Sequence, residues 1–187
     1  LFSSWFEEAE KTEPVDPNAM MLATVDDTGM PQVRAVLLKG QDDRGFVFYT
    51  NRQSRKGQAL QAHPKAALCF YWKSLGRQIR IEGMVENVSD QEADAYFASR
   101  HRGSRLGAWA SQQSRPLENR QALKDAVAAL EERFDGKEDI DRPPYWSGYR
   151  VFPQRMEFWH DGEYRLHTRM MYTKDDSGNW SREMLYP

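Results

Sequence analysis

Cysteine is almost missing from this chain. Its 187 residues include one, Cys69, which excludes an intrachain disulfide and any zinc or iron–sulfur site built on cysteines. Such a chain suits a reducing compartment, and the expected location is the cytoplasm. Histidine is scarce: His63, His101, His160 and His167 show no H-E-x-x-H or other ligand spacing, so no metal is expected. There is no excess of either charge. Lys plus Arg is 26 and Asp plus Glu is 28, a formal −2, which excludes a grip on nucleic acid by bulk charge. No apolar run approaches the roughly 20 residues that span a bilayer, so no membrane partner is expected. The opening Leu1-Phe2-Ser3-Ser4-Trp5 lacks the basic region and long apolar core of a signal peptide. It also lacks an initiator Met, so the gene product is expected to extend upstream. Neither G-x-G-x-x-G nor G-x-x-x-x-G-K occurs, and Ser111 lies in Ala110-Ser111-Gln112 rather than a G-x-S-x-G elbow.

Bulky apolar material is plentiful. Hydrophobic residues are 40% and aromatics 12%, with six Trp, too much for a disordered chain. A chain of this length buries about 70% of its unfolded surface without a staple. One domain over residues 1–187 is expected. Leu1, Phe2, Trp5, Phe6 and Ala9 predict a short amphipathic helix over residues 1–12. Short strands follow at Met20–Val25, Gln32–Lys39 and Phe46–Thr50, with turns at Asp26–Gly29 and Asp42–Gly45. Ser54 is a candidate cap for a helix to about Ala62, and Ser89-Asp90-Gln91-Glu92 reads as a capping box for a helix to about Arg100. Ala66–Trp72 and Arg77–Val85 are strands between them. His101–Pro116 shows little periodicity and reads as a loop, whereas Leu123, Val127, Leu130 and Phe134 form a helical stripe. Tyr149–Phe152, Arg155–His160, Tyr164–Tyr172 and Asn179–Leu185 are expected as closing strands. The pattern is mainly β in an α+β chain: an antiparallel barrel with flanking helices.

Against the balanced background stand three basic clusters. Arg34 and Lys39 end one strand, with Thr50, Ser54, Arg55 and Lys56 a short way on. Arg100-His101-Arg102-Gly103-Ser104-Arg105 follows a helix C-terminus, where cations also complement the dipole. Arg165-Leu166-His167-Thr168-Arg169 reads as a strand that points Arg165, His167 and Arg169 one way and Leu166 and Thr168 the other. Three such groups on one face repel unless they meet nearby carboxylates on a solvated edge or a ligand's anion. Most Trp are expected in the core, but Trp159 lies close to this segment. Two or three anion sites without a metal or nucleophile fit a phosphorylated cofactor and a phosphorylated substrate, the cofactor supplying the chemistry.

The chain resembles the pyridoxamine 5′-phosphate oxidase family. The resemblance rests on Arg34 to Lys39, Phe48-Tyr49-Thr50-Asn51, Ser54-Arg55-Lys56, Arg77-Gln78, Tyr96 to Arg100, Ser104 through Trp109, Gln113-Ser114, Arg142-Pro143-Pro144, Glu157-Phe158-Trp159 and Arg165 to Arg169, in order. It implies an FMN-binding split barrel and a homodimer with FMN at the interface. It implies FMN contacts from Arg34, Ala35, Val36, Leu37, Leu38 and Lys39, from Tyr49, Thr50, Arg55 and Lys56, and from Gln78, Gln113, Ser114, Trp159 and Arg169. Substrate contacts are implied for Lys39, Tyr96, Arg100 and Ser104, with Arg165 and His167 as the catalytic pair facing the pyridine ring. The implied reaction oxidises pyridoxamine or pyridoxine 5′-phosphate with dioxygen to the aldehyde and hydrogen peroxide. Rival expectations are a phenazine-type flavin oxidase of the same fold and a non-catalytic flavin or pyridoxal-phosphate binder. Three positions depart from the family pattern: His101 for Pro, Arg105 for Gln and Thr168 for Asp. Thr168, on the opposite strand face, is expected to be tolerated.

Overall fold

Alternation of apolar and polar residues builds one curled antiparallel sheet. A computed structural model describes residues 1–187. Its strands are β1 (Ala19–Val25), β2 (Pro31–Leu37), β3 (Gly40–Asp42), β4 (Gly45–Asn51), β5 (Lys65–Trp72), β6 (Arg77–Asn87), β7 (Trp146–His160), β8 (Thr168–Lys174) and β9 (Trp180–Leu185). The order is β2-β1-β5-β6-β7-β4-β3, with β8 added to β7 and β9 to β8. All pairings are antiparallel, as the closely spaced turns predict. Inside the curl lie Leu22, Phe48, Phe70, Trp72, Ile79, Ile81, Val151 and Phe158. Helix α1 (Phe2–Thr12) adds Phe2 to this core, with its ring 4.8 Å from Phe46 and 5.3 Å from Phe70. Burying such a side chain contributes roughly 1.5–3 kcal/mol. No helix is long and apolar enough to cross a membrane.

Strand β7 is one continuous element where the sequence suggests two. Along one edge it pairs with β6 from Tyr149 to His160. Along the other, Trp146–Val151 pair with β4, and Arg155–His160 pair with β8. Pro153 lies at this division, where its missing N–H removes a ladder donor. The register with β6 shifts between Glu82 and Gly83. Gly83 is required there, because a Cβ would stand 1.9 Å from the Phe152 carbonyl oxygen. The sheet therefore splits along β7.

Five α-helices flank the sheet. Helix α2 (Arg55–Ala62) starts at Ser54, whose Oγ accepts from Gly57 N–H at 3.3 Å. Helix α3 (Asp90–Ser99) starts at Ser89, whose Oγ accepts from Glu92 N–H at 3.1 Å. The capping box is only half formed. The Glu92 carboxylate turns instead to Arg150, at 2.9 Å. Arg150 is buried and also holds Asp42 at 2.7 Å, so one guanidinium ties β7, β3 and α3 together. Arg142 fixes the same helix through Asp90 and Asp94.

The expected loop at His101–Pro116 is largely helical: α4 spans Arg102–Ala110. Two glycines and a single buried apolar residue, Leu106, hide its period. Packing against α5 (Arg120–Arg133) makes it a helix, as Leu106 joins Phe134 and Ile140 in a small second core. His101 Nδ1 caps it by accepting from Gly103 N–H at 3.2 Å.

Replacing Arg150 with Met leaves Asp42 and Glu92 facing each other. We expect a loss of roughly 2–3 kcal/mol in urea unfolding, with an unchanged m-value. An unchanged midpoint would show that the three elements are held by other contacts.

Candidate active site

Three cations without carboxylate partners converge on one cleft. Arg44, Arg77, Arg80, Arg142, Arg150, Arg155 and Arg169 each pair with a carboxylate. Arg34, Lys39, Lys56 and Arg100 pair with none, and the last three line a single cleft of about 520 Å³. Its floor comes from Ala35, Val36 and Leu37 of β2 and Tyr49, Thr50 and Asn51 of β4. Tyr96 and Arg100 reach it from α3, and Ser104, Gly107 and Ala108 from α4; Ser111, Gln113 and Trp146 complete the wall.

One end is a polar cradle. Lys56 Nζ lies 3.2 Å from Gln113 Oε1, 3.4 Å from Thr50 Oγ1 and 3.5 Å from Ser54 Oγ. Burial, then the nearby Arg34 guanidinium, hold the Lys56 ammonium below its ordinary pKa of 10.5. Arg34 spends its own donors on neutral oxygens, Thr24 Oγ1 at 2.7 Å and Gln32 Oε1 at 3.1 Å. Two desolvated cations this close call for an anion.

The other end is aromatic. Tyr49, Tyr96 and Trp146 lie nearly parallel, with Tyr49 and Tyr96 centroids 3.9 Å apart and Tyr49 and Trp146 5.3 Å apart. Burial pushes the Tyr49 phenol up to about 12, so it stays a neutral donor. Arg100 lies over Trp146 at 4.9 Å. Its Nη1 is buried with no hydrogen-bond partner, and burial lowers the guanidinium's pKa. An orphaned buried donor beside a cleft is the signature of a missing acceptor.

Other expected site residues lie elsewhere. Leu38 faces the core, and Arg55 lines a neighbouring cleft with Asp26 and Gln32. Ser114, beside Gln113, has φ 73°. Gln78, Trp159 and Arg169 pair directly across β6, β7 and β8, so they form one row on the sheet's outer face. Arg165, His167 and Arg169 do not share a strand face. Strand β8 begins only at Thr168, and residues 163–165 form a short 3-10 turn with Tyr164 and Arg165 at positive φ. Thr168 is therefore not opposed to Arg165 and His167 across a strand. Arg169 is held by the buried Glu157 at 2.7 Å, and Glu157 also takes Arg80 at 3.2 Å. Neither Arg165 nor His167 lines the cleft of its own chain. Trp146 lines it, but Trp159 is 13 residues along β7 (159 − 146), about 40 Å of strand path at the usual rise.

Several contributors escaped the sequence reading. Trp146 carries no periodic signal, and Ser111 was considered only as a nucleophile. Asn51, whose Oδ1 accepts from Gln53 N–H at 2.7 Å, reads as an ordinary turn residue.

The chain matches known proteins of this fold. The family described as "Pyridoxamine 5′-phosphate oxidase" matches residues 6–134, and "Pyridoxine 5′-phosphate oxidase C-terminal dimerisation region" matches residues 146–187. A relative from Azorhizobium caulinodans, named pyridoxine/pyridoxamine 5′-phosphate oxidase, is 58% identical over 100% of this chain and 88% of its own. The solved structure of PhzG from Burkholderia lata 383, in complex with tetrahydrophenazine-1-carboxylic acid, is 33% identical with a TM-score of 0.92. It covers 100% of this chain and 90% of that one. A pyridoxamine 5′-phosphate oxidase-related, FMN binding protein from Nostoc punctiforme PCC 73102 shares the fold, with a TM-score of 0.80 at 20% identity over 100% and 95% of the two chains.

A phosphate beside Lys56 favours its charged form. Binding a phosphate ester should therefore take up protons in the alkaline range between the depressed pKa and 10.5. Calorimetry of FMN binding in buffers of different ionisation enthalpy measures this uptake. Lys56→Met should abolish it; an equal uptake in that variant would place the titrating group elsewhere.

Proposed function

The chain belongs to the pyridoxamine 5′-phosphate oxidase family, and from that membership we propose how its residues serve the family's reaction. The enzyme oxidises pyridoxamine or pyridoxine 5′-phosphate to pyridoxal 5′-phosphate with FMN as cofactor. The unpaired cations of the cleft carry the assignment. Lys56, Arg34, Thr50 and Gln113 are suited to the FMN phosphate, with Arg55 and Ser114 at the margin. Ala35, Val36 and Leu37 offer an apolar strip for a flat ring. Lys39, Tyr96, Arg100 and Ser104 are suited to the substrate phosphate, and the orphaned Arg100 Nη1 supports this. A buried guanidinium binds a phosphate dianion by charge-assisted hydrogen bonds.

FMN held by these residues would supply the two-electron oxidation of the substrate's C4′ carbon, with dioxygen as the final acceptor and hydrogen peroxide as its product. The chain's own part is to hold and orient. Tyr96 and Arg100 fix the substrate phosphate, which limits the ring to a near-attack pose. Arg165 holds the pyridine ring, and His167 orients it by hydrogen bonding.

These two residues reach the cleft across a homodimer. The C-terminal region that carries them matches the family's dimerisation region. It also exposes Tyr164, Leu166, Met184 and Tyr186, apolar surface that suits an interface. Gln78, Trp159 and Arg169 then approach the partner's cofactor from the sheet's outer face. The phosphate-binding residues favour a phosphorylated substrate over the acid bound by PhzG.

The direct test follows the visible spectrum of the yellow holoenzyme under nitrogen. Addition of pyridoxamine 5′-phosphate should bleach it, and air should restore the colour with release of aldehyde and peroxide. A spectrum unchanged by this substrate would reject the reading; turnover of a phenazine precursor alone would favour the PhzG-like activity. Arg100→Met should raise KM for pyridoxamine 5′-phosphate roughly 10–100-fold while FMN content is retained. Loss of FMN instead would move Arg100 to the cofactor side.

A further inference from the structure

The segment between β7 and β8 reverses through two consecutive residues in the left-handed region, Tyr164 (φ 56°) and Arg165 (φ 64°). Two such non-glycine residues in succession mark backbone held by its surroundings. The hold is at the base of the loop. Gly162 passes so close to Leu166 that a Cβ would sit 2.3 Å from its carbonyl oxygen. Asp161 Oδ1 lies 3.0 Å from His167 Nδ1. The Gly162 N–H points between them, 3.1 Å from Asp161 Oδ1 and 3.3 Å from His167 Nδ1. The imidazole packs on Trp159, ring centroids 4.6 Å apart.

These distances select a tautomer. With Nδ1 bare, it and Asp161 Oδ1 would be two acceptors 3.0 Å apart sharing the single Gly162 N–H. With Nδ1 protonated, it donates to Asp161 Oδ1, and the Gly162 N–H donates to the same oxygen. A carboxylate oxygen accepts both. Neutral His167 then carries its proton on Nδ1 and keeps a lone pair on Nε2. Nδ1 is the ring nitrogen engaged within the chain, and Nε2 is left for another molecule.

We infer that Asp161 is a positioning residue for the reaction: through Nδ1 it fixes the ring and tautomer of His167, so that Nε2 meets the substrate as a hydrogen-bond acceptor. This deepens the proposed function and rests on its assignment of His167 to the substrate ring. An acceptor at Nε2 suits the two substrates, since each bears an N–H or O–H donor on the carbon that is oxidised. A donor at Nε2 would instead favour the carbonyl oxygen of the product.

The test reads the tautomer directly. Holoenzyme labelled with 15N-histidine contains four such residues, and His167→Asn identifies the His167 signals by their loss. In long-range proton–nitrogen spectra at a pH where His167 is neutral, Nδ1 should show the protonated-type shift and Nε2 the bare-type shift. Asp161→Ala should shift both signals toward the opposite tautomer. It should also lower kcat about tenfold, with KM within twofold and FMN content unchanged. An Nε2–H tautomer in the unaltered protein, or signals untouched by Asp161→Ala, would overturn the inference. Full turnover in His167→Asn would overturn the underlying assignment of His167, a failure the resting-state spectra distinguish from that of Asp161.

Discussion

Desolvated positive charge without a matching carboxylate is the constraint on which this molecule's site depends. A buried guanidinium or ammonium loses hydration that only an anion or several good acceptors return. At Arg150, with Asp42 and Glu92, and at Arg169, with Glu157, the chain supplies that anion itself. In the cleft it does not. Lys56 finds only neutral oxygens, and Arg100 leaves a buried N–H unused. The protein tolerates this because the surrounding frame is rigid: β4 and β2 beneath, and α3 pinned by Arg142 and Arg150 from two sides. The interaction these cations lack within the chain is available to an anion that enters the cleft.

The two anchoring guanidiniums also explain how α3 can hold side chains over the cleft. Its Tyr96 and Arg100 lie one turn apart, facing the cleft, while Asp90, Glu92 and Asp94 are committed to Arg142 and Arg150. The helix uses its acidic N-terminal part for attachment and presents its C-terminal end to the cleft. The stack of Tyr49, Tyr96 and Trp146 joins the helix to the sheet through flat surfaces that leave little rotational freedom.

Much of this was legible in the sequence. Alternation in β1, β5 and β6 marked the sheet, and Ser54 and Ser89 marked two helix starts. Lys56 and Arg100 stood out because basic residues clustered beside hydroxyls. The rest depended on contacts between distant segments. Helix α4 exists because Leu106 meets Phe134 and Ile140, which its glycine-interrupted sequence does not announce. The segment after Trp159 alternates like a strand yet folds as a turn, because the Asp161–Gly162–His167 contacts and two positive-φ residues override the period. Glu157 reads as a polar strand residue, but it is 3% exposed and bridges two arginines. Trp146 resembles any core aromatic until Tyr49 and Tyr96 are seen stacked beside it.

The length of β7 has a genetic consequence. One end of this strand supplies Trp146 to the cleft, and the other supplies Trp159, too far along the same strand to serve the same cleft. In a two-fold pair built as proposed above, each reaction centre would draw on two gene copies. Two inactive alleles, one damaged at Arg100 and the other at His167, would complement in a single cell: a mixed pair concentrates both lesions in one centre and leaves the other whole. Inheritance of defects in this enzyme would then depend on which half of the sequence each allele alters.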